Sequence, residues 1–121
     1  MAKVLIISSN AKEREGIAAI LGIWHQVSQV ADGAEGLSQI LNLCPELIVL
    51  ADGMPAVDDV SLVKRVTSFT DAPVIVIESD SNPVHRVLNL IDGADIILTR
   101  PFSLGELIGR VIALLRLEEK R

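Results

Sequence analysis

Cysteine, aromatic residues, positive charge and long apolar runs are all scarce in this 121-residue chain. Its single cysteine, Cys44, can form neither an internal disulfide nor a thiolate zinc site, and reads as a reduced, half-buried residue of a cytosolic protein. Eleven Lys and Arg stand against sixteen Asp and Glu, a net charge of −5. The domain therefore lacks the basic excess that would let it grip a nucleic-acid backbone by itself. No apolar run approaches the length of a bilayer crossing, and Met1-Ala2-Lys3-Val4 enters a strand-like run with no charged leader and cleavage site. Tyrosine is absent and only three residues are aromatic. There is no internal repeat, linker or low-complexity stretch. A Gly-rich phosphate loop is missing too, since Ser8-Ser9-Asn10-Ala11-Lys12 contains no glycine.

What is present is apolar. Half of the residues are hydrophobic and the mean hydropathy is positive, which excludes a disordered tail. The length fits one domain over 1–121, able to bury roughly two-thirds of its unfolded surface.

Two kinds of segment alternate. Val4–Ile7, Leu47–Leu50, Val74–Ile77 and Ile96–Leu98 are short, β-branched and apolar without alternation, as strands covered on both faces are. Gln26–Val30 does alternate and reads as an edge strand. Between them lie helical stripes: Ile17, Ile20 and Leu21; Leu37, Ile40, Leu41 and Cys44; Leu62, Val63, Val66 and Phe69; Val84, Val87, Leu88 and Ile91; Leu104, Leu107, Ile108 and Val111. Each stripe is expected to cover one face of the sheet. Asn10-x-x-Glu13 and Ser103-x-x-Glu106 read as capping boxes, Asp32 and Asp58 as N-caps, Pro83 as a first-turn proline, and Gly22 and Gly93 as helix ends. The order βαβαβαβαβα predicts an α/β fold, a doubly wound five-stranded parallel sheet with five helices. Its functional residues belong beyond the carboxyl ends of the strands. Those ends are Ser8, Ser9 and Asn10; Ala51 and Asp52; Glu78 and Ser79; and Thr99 and Arg100.

At these residues the chain resembles the receiver domains of two-component response regulators. The resemblance runs over the whole chain. It rests on Pro45–Leu50 leading to Met54-Pro55, on Ala72–Ile75, on Gly93-Ala94-Asp95, and on Arg100-Pro101-Phe102-Ser103 with Leu104-Gly105-Glu106-Leu107. It implies the flavodoxin-like (βα)5 receiver fold. It also implies a phosphorelay chemistry, in which a phosphoryl group passes from a kinase histidine to an Asp ending the third strand. Mg²⁺ held by an acidic pair, a Lys after the fifth strand and a Thr or Ser after the fourth assist that transfer, because phosphoryl transfer is positioning plus charge neutralisation.

This sequence departs from the pattern at each of those positions. The acceptor falls on Ala51, the acidic pair on Ser8 and Ser9, the hydroxyl on Glu78, the Lys on Arg100 and the aromatic switch on Ile97. Neutral hydroxyls are poor ligands for Mg²⁺, and a guanidinium is a planar fork where an ammonium is a point. The resemblance thus implies an atypical pseudo-receiver that works without phosphorylation, metal or cofactor. Asp52 is the alternative acceptor, but strand alternation turns a neighbour of Ala51 away from the site unless a bulge intervenes. Arg100 and Glu78 are expected at adjacent strand ends. They form either a fixed ion pair joined by Asp52, or a partly solvated pair contributing at most about 1 kcal/mol.

Relatives with DNA-binding output domains dimerise through the fourth helix, fifth strand and fifth helix. The matching charged positions here are Arg86, Asp92, Asp95, Glu106 and Arg110, with Arg86 and Glu106 as the expected pair and Ile96 interrupting the set. The other reading is a solvated helix surface. His25 and His85 read as surface residues without metal-ligand spacing, Trp24 as a cap on the sheet edge beside Ile23, and Met54 and Pro55 as loop-shaping residues. The expectation is a cytoplasmic, non-enzymatic signalling domain that forms a homodimer and reaches DNA only through a separate output domain. A stand-alone adaptor for other signalling proteins, or an active phosphoacceptor at Asp52, are the alternatives.

Overall fold

The computed structural model describes residues 1–79 and 82–120. Strands and helices alternate without exception: β1 (Lys3–Ile7), α1 (Ala11–Leu21), β2 (Gln26–Val30), α2 (Gly33–Leu43), β3 (Leu47–Ala51), α3 (Leu62–Phe69), β4 (Val74–Glu78), α4 (Pro83–Ile91), β5 (Ile96–Thr99) and α5 (Leu104–Glu119). The strands pair in parallel in the order β2-β1-β3-β4-β5, so the winding direction reverses between β1 and β3. This is the doubly wound sheet that the alternation predicts.

The continuous apolar runs are explained by the two cores. On one face Val4, Ile6, Val49, Ile75 and Ile77 pack with Ile17 and Leu21 of α1 and Leu107 and Val111 of α5. On the other, Leu5, Ile7, Ile48, Leu50, Val74 and Val76 pack with Leu37 and Ile40 of α2 and Leu62 and Val66 of α3. Helix α2 sits close to β1 at Gly36, where a Cβ would stand 2.6 Å from Ile7 Cδ1. The edge strand β2 is only partly covered, in keeping with its polar Gln26, Ser28 and Gln29.

Asn10, Asp32 and Ser103 cap their helices by accepting from the N–H groups of Glu13, Glu35 and Glu106. Pro83 opens α4, and Gly93 follows its end at φ +116°, with Thr67 against the place a side chain would need.

Four local expectations are corrected. Asp58 does not cap α3. Val57 and Val60 close a tight bridge that puts Asp58 and Asp59 at positive φ, so the helix starts only after it, capped by Ser61. Asp58 instead pairs with Arg65 at 3.1 Å. Cys44 is exposed, because α2 ends there in a left-handed turn at φ 48°, and Leu41 is exposed with it. Trp24 and Ile23 project from the α1–β2 connection into solvent and cap no edge. The largest departure is α4: Val84, Val87, Leu88 and Ile91 are all exposed, and the helix buries no residue.

Candidate functional site

Parallel pairing brings the carboxyl ends of β1, β3, β4 and β5 to one edge of the sheet, with Ala51 level with Ile77 and Glu78 level with Thr99. A cleft of about 300 Å³ opens there, lined by Ser8, Ser9, Asn10, Glu13, Ala51, Asp52, Ser79 and Arg100. Every strand-end position singled out from the sequence lies in it except Glu78 and Thr99. A larger cleft of about 580 Å³ is remote from these residues, between Ala2, His25, Glu46, Asp71 and α5.

Arg100 lines the cleft and ties three of its other residues together. Its Nε and Nη2 donate to the two oxygens of Glu13 at 2.5 and 2.8 Å, and its Nη1 donates to Asp52 Oδ1 and to Ser79 Oγ, both at 2.8 Å. A guanidinium makes such a fork, and an ammonium does not. The bonds to Glu13 above all, then to Asp52, raise the Arg100 pKa above its ordinary value against the opposing effect of burial. The side chains of Arg100, Glu13 and Asp52 remain 24%, 17% and 35% exposed, so the group is partly screened. The triad carries a formal charge of −1.

Glu13 was legible only as the second half of a capping box. Its carboxylate does not return to Asn10 because the Asn10 N–H donates to Ser8 Oγ at 3.2 Å. That leaves Glu13, in the first turn of α1, free to cross to Arg100, 87 residues along the chain. Ser8 is buried and its carbonyl accepts from Arg14; Ser9 is exposed on the rim.

Asp52 corrects the alternation argument. β3 stops at Ala51, and Asp52 already belongs to a turn, so its side chain is not bound to the strand's opposite face. Its carboxylate reaches the cleft beside Ala51, accepting from Arg100 and from the Ser79 N–H.

The expected Arg100–Glu78 ion pair is not formed. The two residues meet only through the backbone, where the Arg100 N–H donates to the Glu78 carbonyl at 2.7 Å. Glu78 shares its parity with Val74 and Val76, whose side chains face α2 and α3, whereas Arg100 turns toward α1. The Glu78 carboxylate is buried and receives Arg86 Nε at 3.3 Å and Asn89 Nδ2 at 3.4 Å, both from α4. Arg86 also donates to Thr99 Oγ1 at 2.7 Å.

The charged residues assigned to an interface separate into two groups. Arg86, Asp92 and Asp95 work inside the chain. Asp92 accepts from Ser61 Oγ through its side chain and from Thr67 through its carbonyl, and Asp95 accepts from the Val74 N–H. Glu106 and Arg110 stand exposed on α5. His25 accepts from the Ala2 N–H through Nδ1, and burial holds its pKa below the ordinary histidine value. His85 is exposed on α4.

The fold family implies Mg²⁺ at this edge. The donors do not fit it: two serine hydroxyls stand where the acidic pair would be, and both carboxylates of the cleft are bound to a guanidinium. Among the described residues no cluster of His, Cys, Asp and Glu could hold a metal, and no helix is long and apolar enough to cross a membrane.

No family model matches the chain. It is 44% identical over 92 residues to the transcriptional regulatory protein PrrA of Mycobacterium leprae, covering 75% of this chain and 40% of that protein. It is 33% identical over 116 residues to the response regulator MprA of Mycobacterium sp. (strain KMS), covering 94% and 50%. The chain thus spans half or less of these curated relatives. Among solved structures it matches the receiver domain of the Francisella response regulator 1452 with a TM-score of 0.86 and 30% identity, over 98% of this chain and 99% of that one. With the parallel five-stranded sheet, its helices and its strand-end cleft described, that end-to-end match settles the family: the chain belongs to the receiver domains of response regulators.

Proposed function

We propose that this is a receiver domain that takes up no phosphoryl group and acts by protein–protein contact. The observation that carries the reading is the lining of the cleft, where Arg100 is paired and no acceptor set is present. Ala51 offers no nucleophile at the acceptor position, Ser8 and Ser9 offer no carboxylates, and Arg100 is already neutralised by Glu13 and Asp52. In this reading the charge that phosphorylation would add is built into the sequence, and the domain is a binding module, not an enzyme. It needs no metal or cofactor and works in the cytoplasm.

The surface proposed for assembly is the α4–β5–α5 face, with a second copy as the partner. An exposed apolar stripe on α4 and the exposed Glu106 and Arg110 on α5 support it. The intramolecular ties of Arg86, Asp92 and Asp95 leave these three to position the face more than to cross it, so the Arg86–Glu106 pair would require Arg86 to be shared with Glu78. By analogy with PrrA, a transcriptional regulatory protein, the domain is proposed as the N-terminal regulatory half of a DNA-binding regulator, with DNA contacted only by the output domain. A natural stop in the gene after this domain would favour the stand-alone adaptor.

A second reading, phosphorylation at Asp52, is favoured by one observation: its carboxylate lies in the cleft beside Ala51. Incubation with acetyl phosphate and Mg²⁺ followed by intact-mass measurement separates the two. The first reading expects no added phosphoryl mass. An addition that disappears in Asp52→Asn overturns it.

A further inference from the structure

We propose that Glu78 is a tether that fixes the seating of α4, so that this helix is held to the sheet through one buried carboxylate and leaves it as a unit when that tether is broken. The proposal goes beyond the reading above, since it concerns the single chain whether or not the chain dimerises.

Three observations carry it. First, α4 buries no residue, and Val84, Val87, Leu88, Leu90 and Ile91 are all exposed. Hydrophobic burial, which seats α1, α2, α3 and α5, is therefore not what holds α4. Second, Glu78 is 2% exposed at the end of β4, with Ala51, Ile77 and Val76 around it in the sheet also buried. A carboxylate removed from water this far persists as a charge only where partners satisfy it. Third, both side-chain partners described for it, Arg86 and Asn89, come from one helix at i, i+3 spacing, and Arg86 is additionally anchored by Thr99 of β5. One buried group thus ties a single face of α4 to two adjacent strands.

The spacing also explains the outward apolar stripe. With Arg86 and Asn89 turned to Glu78, Val84, Val87 and Ile91 face away from it, while Leu88 borders the cleft beside it. The tether so determines which side of α4 is presented to solvent. Breaking it removes the reason for that orientation without removing any core side chain of the helix. The C-cap Asp92, bonded to Ser61, the N-cap of α3, and to Thr67 within it, is the fixed end about which α4 would swing.

Hydrogen exchange of the backbone amides tests this, compared at two protein concentrations so that cover by a second copy is separated from seating. Local opening exposes amides of one unit without the rest, and loss of a buried ion pair is a large local perturbation, so Glu78→Ala is expected to accelerate exchange in α4 by about tenfold or more while β1 and β3 change less than about twofold. Glu78→Gln, which keeps the shape and a neutral hydrogen bond, is expected to fall between wild type and Glu78→Ala. Should Glu78→Ala not fold, the pair Arg86→Met with Asn89→Leu removes the tether from the helix side and carries the same expectation. Unchanged α4 exchange in a folded variant overturns the proposal. So does equal acceleration of α4 and the sheet, which would make Glu78 a residue of general stability.

Discussion

Helices α4 and α5 carry the same apolar spacing and have opposite fates. In α5 the middle of the stripe is driven inward: Leu107 and Val111, with Leu114 a turn further on, are buried against β1, β3 and the rest of that core, while Leu104 at the start stays half exposed. In α4 the stripe points out, and a buried glutamate holds the polar side in. Periodicity shows that a helix has an apolar face; it does not show what the face meets. The difference lies at one strand end: β4 closes on Glu78, whose buried carboxylate accepts from Arg86 and Asn89 on one face of α4.

The comparison breaks hardest in the core. Leu107→Ala on α5 is expected to cost about 2–5 kcal/mol in chemical denaturation, because the side chain is fully buried. The equivalent truncation on α4, Leu88→Ala, is expected to change stability by no more than about 0.5 kcal/mol, since half of the residue is already in water. Its effect belongs in self-association, measured by sedimentation as a weaker dimer. Equal losses from the two helices would show that α4 is seated by apolar contact after all.

Between these lies Arg100. Arg100→Ala leaves Glu13 and Asp52 facing each other across a partly solvated cleft, and a cost of about 1–2 kcal/mol is expected, smaller at high salt. Glu13→Gln should recover part of it in the double variant by removing one of the stranded charges. No such recovery would mean that the two carboxylates do not share Arg100.

The smallest effect is at the opposite end of the sheet. His25 is held neutral in the fold, so the unfolded chain takes up a proton more readily than the folded one. The stability this contributes is complete above the ordinary histidine value of 6.5 and declines as pH falls below it toward the lowered folded value. A His25→Gln variant is expected to lose that acid-side decline in thermal melts, and an unchanged slope would contradict it.

The sequence made the frame of the fold plain because short unbroken apolar runs and helical stripes have few other meanings. Strand ends were legible for the same reason, and Ser8, Ser9, Ala51 and Arg100 meet in the cleft as their positions require. What was hidden depended on a single hydrogen bond or a single residue of strand length. Glu13 reached the cleft because Ser8 satisfied the Asn10 N–H in its place. Asp52 reached it because β3 ends at Ala51, so strand alternation does not govern the next side chain. Glu78 and Arg100 were adjacent in register and still parted, since each followed the parity of its own strand end to a different helix. Such choices are made by three-dimensional competition for partners, which spacing along the chain does not record.

A domain whose cleft carries its own fixed charges should be indifferent to a phosphoryl donor, and the monomer–dimer equilibrium measures that indifference directly. Sedimentation across a concentration series, with and without acetyl phosphate and Mg²⁺, is expected to give one and the same dissociation constant. A shift on adding the donor that vanishes in Asp52→Asn would contradict the account and return the domain to the phosphorylated switches.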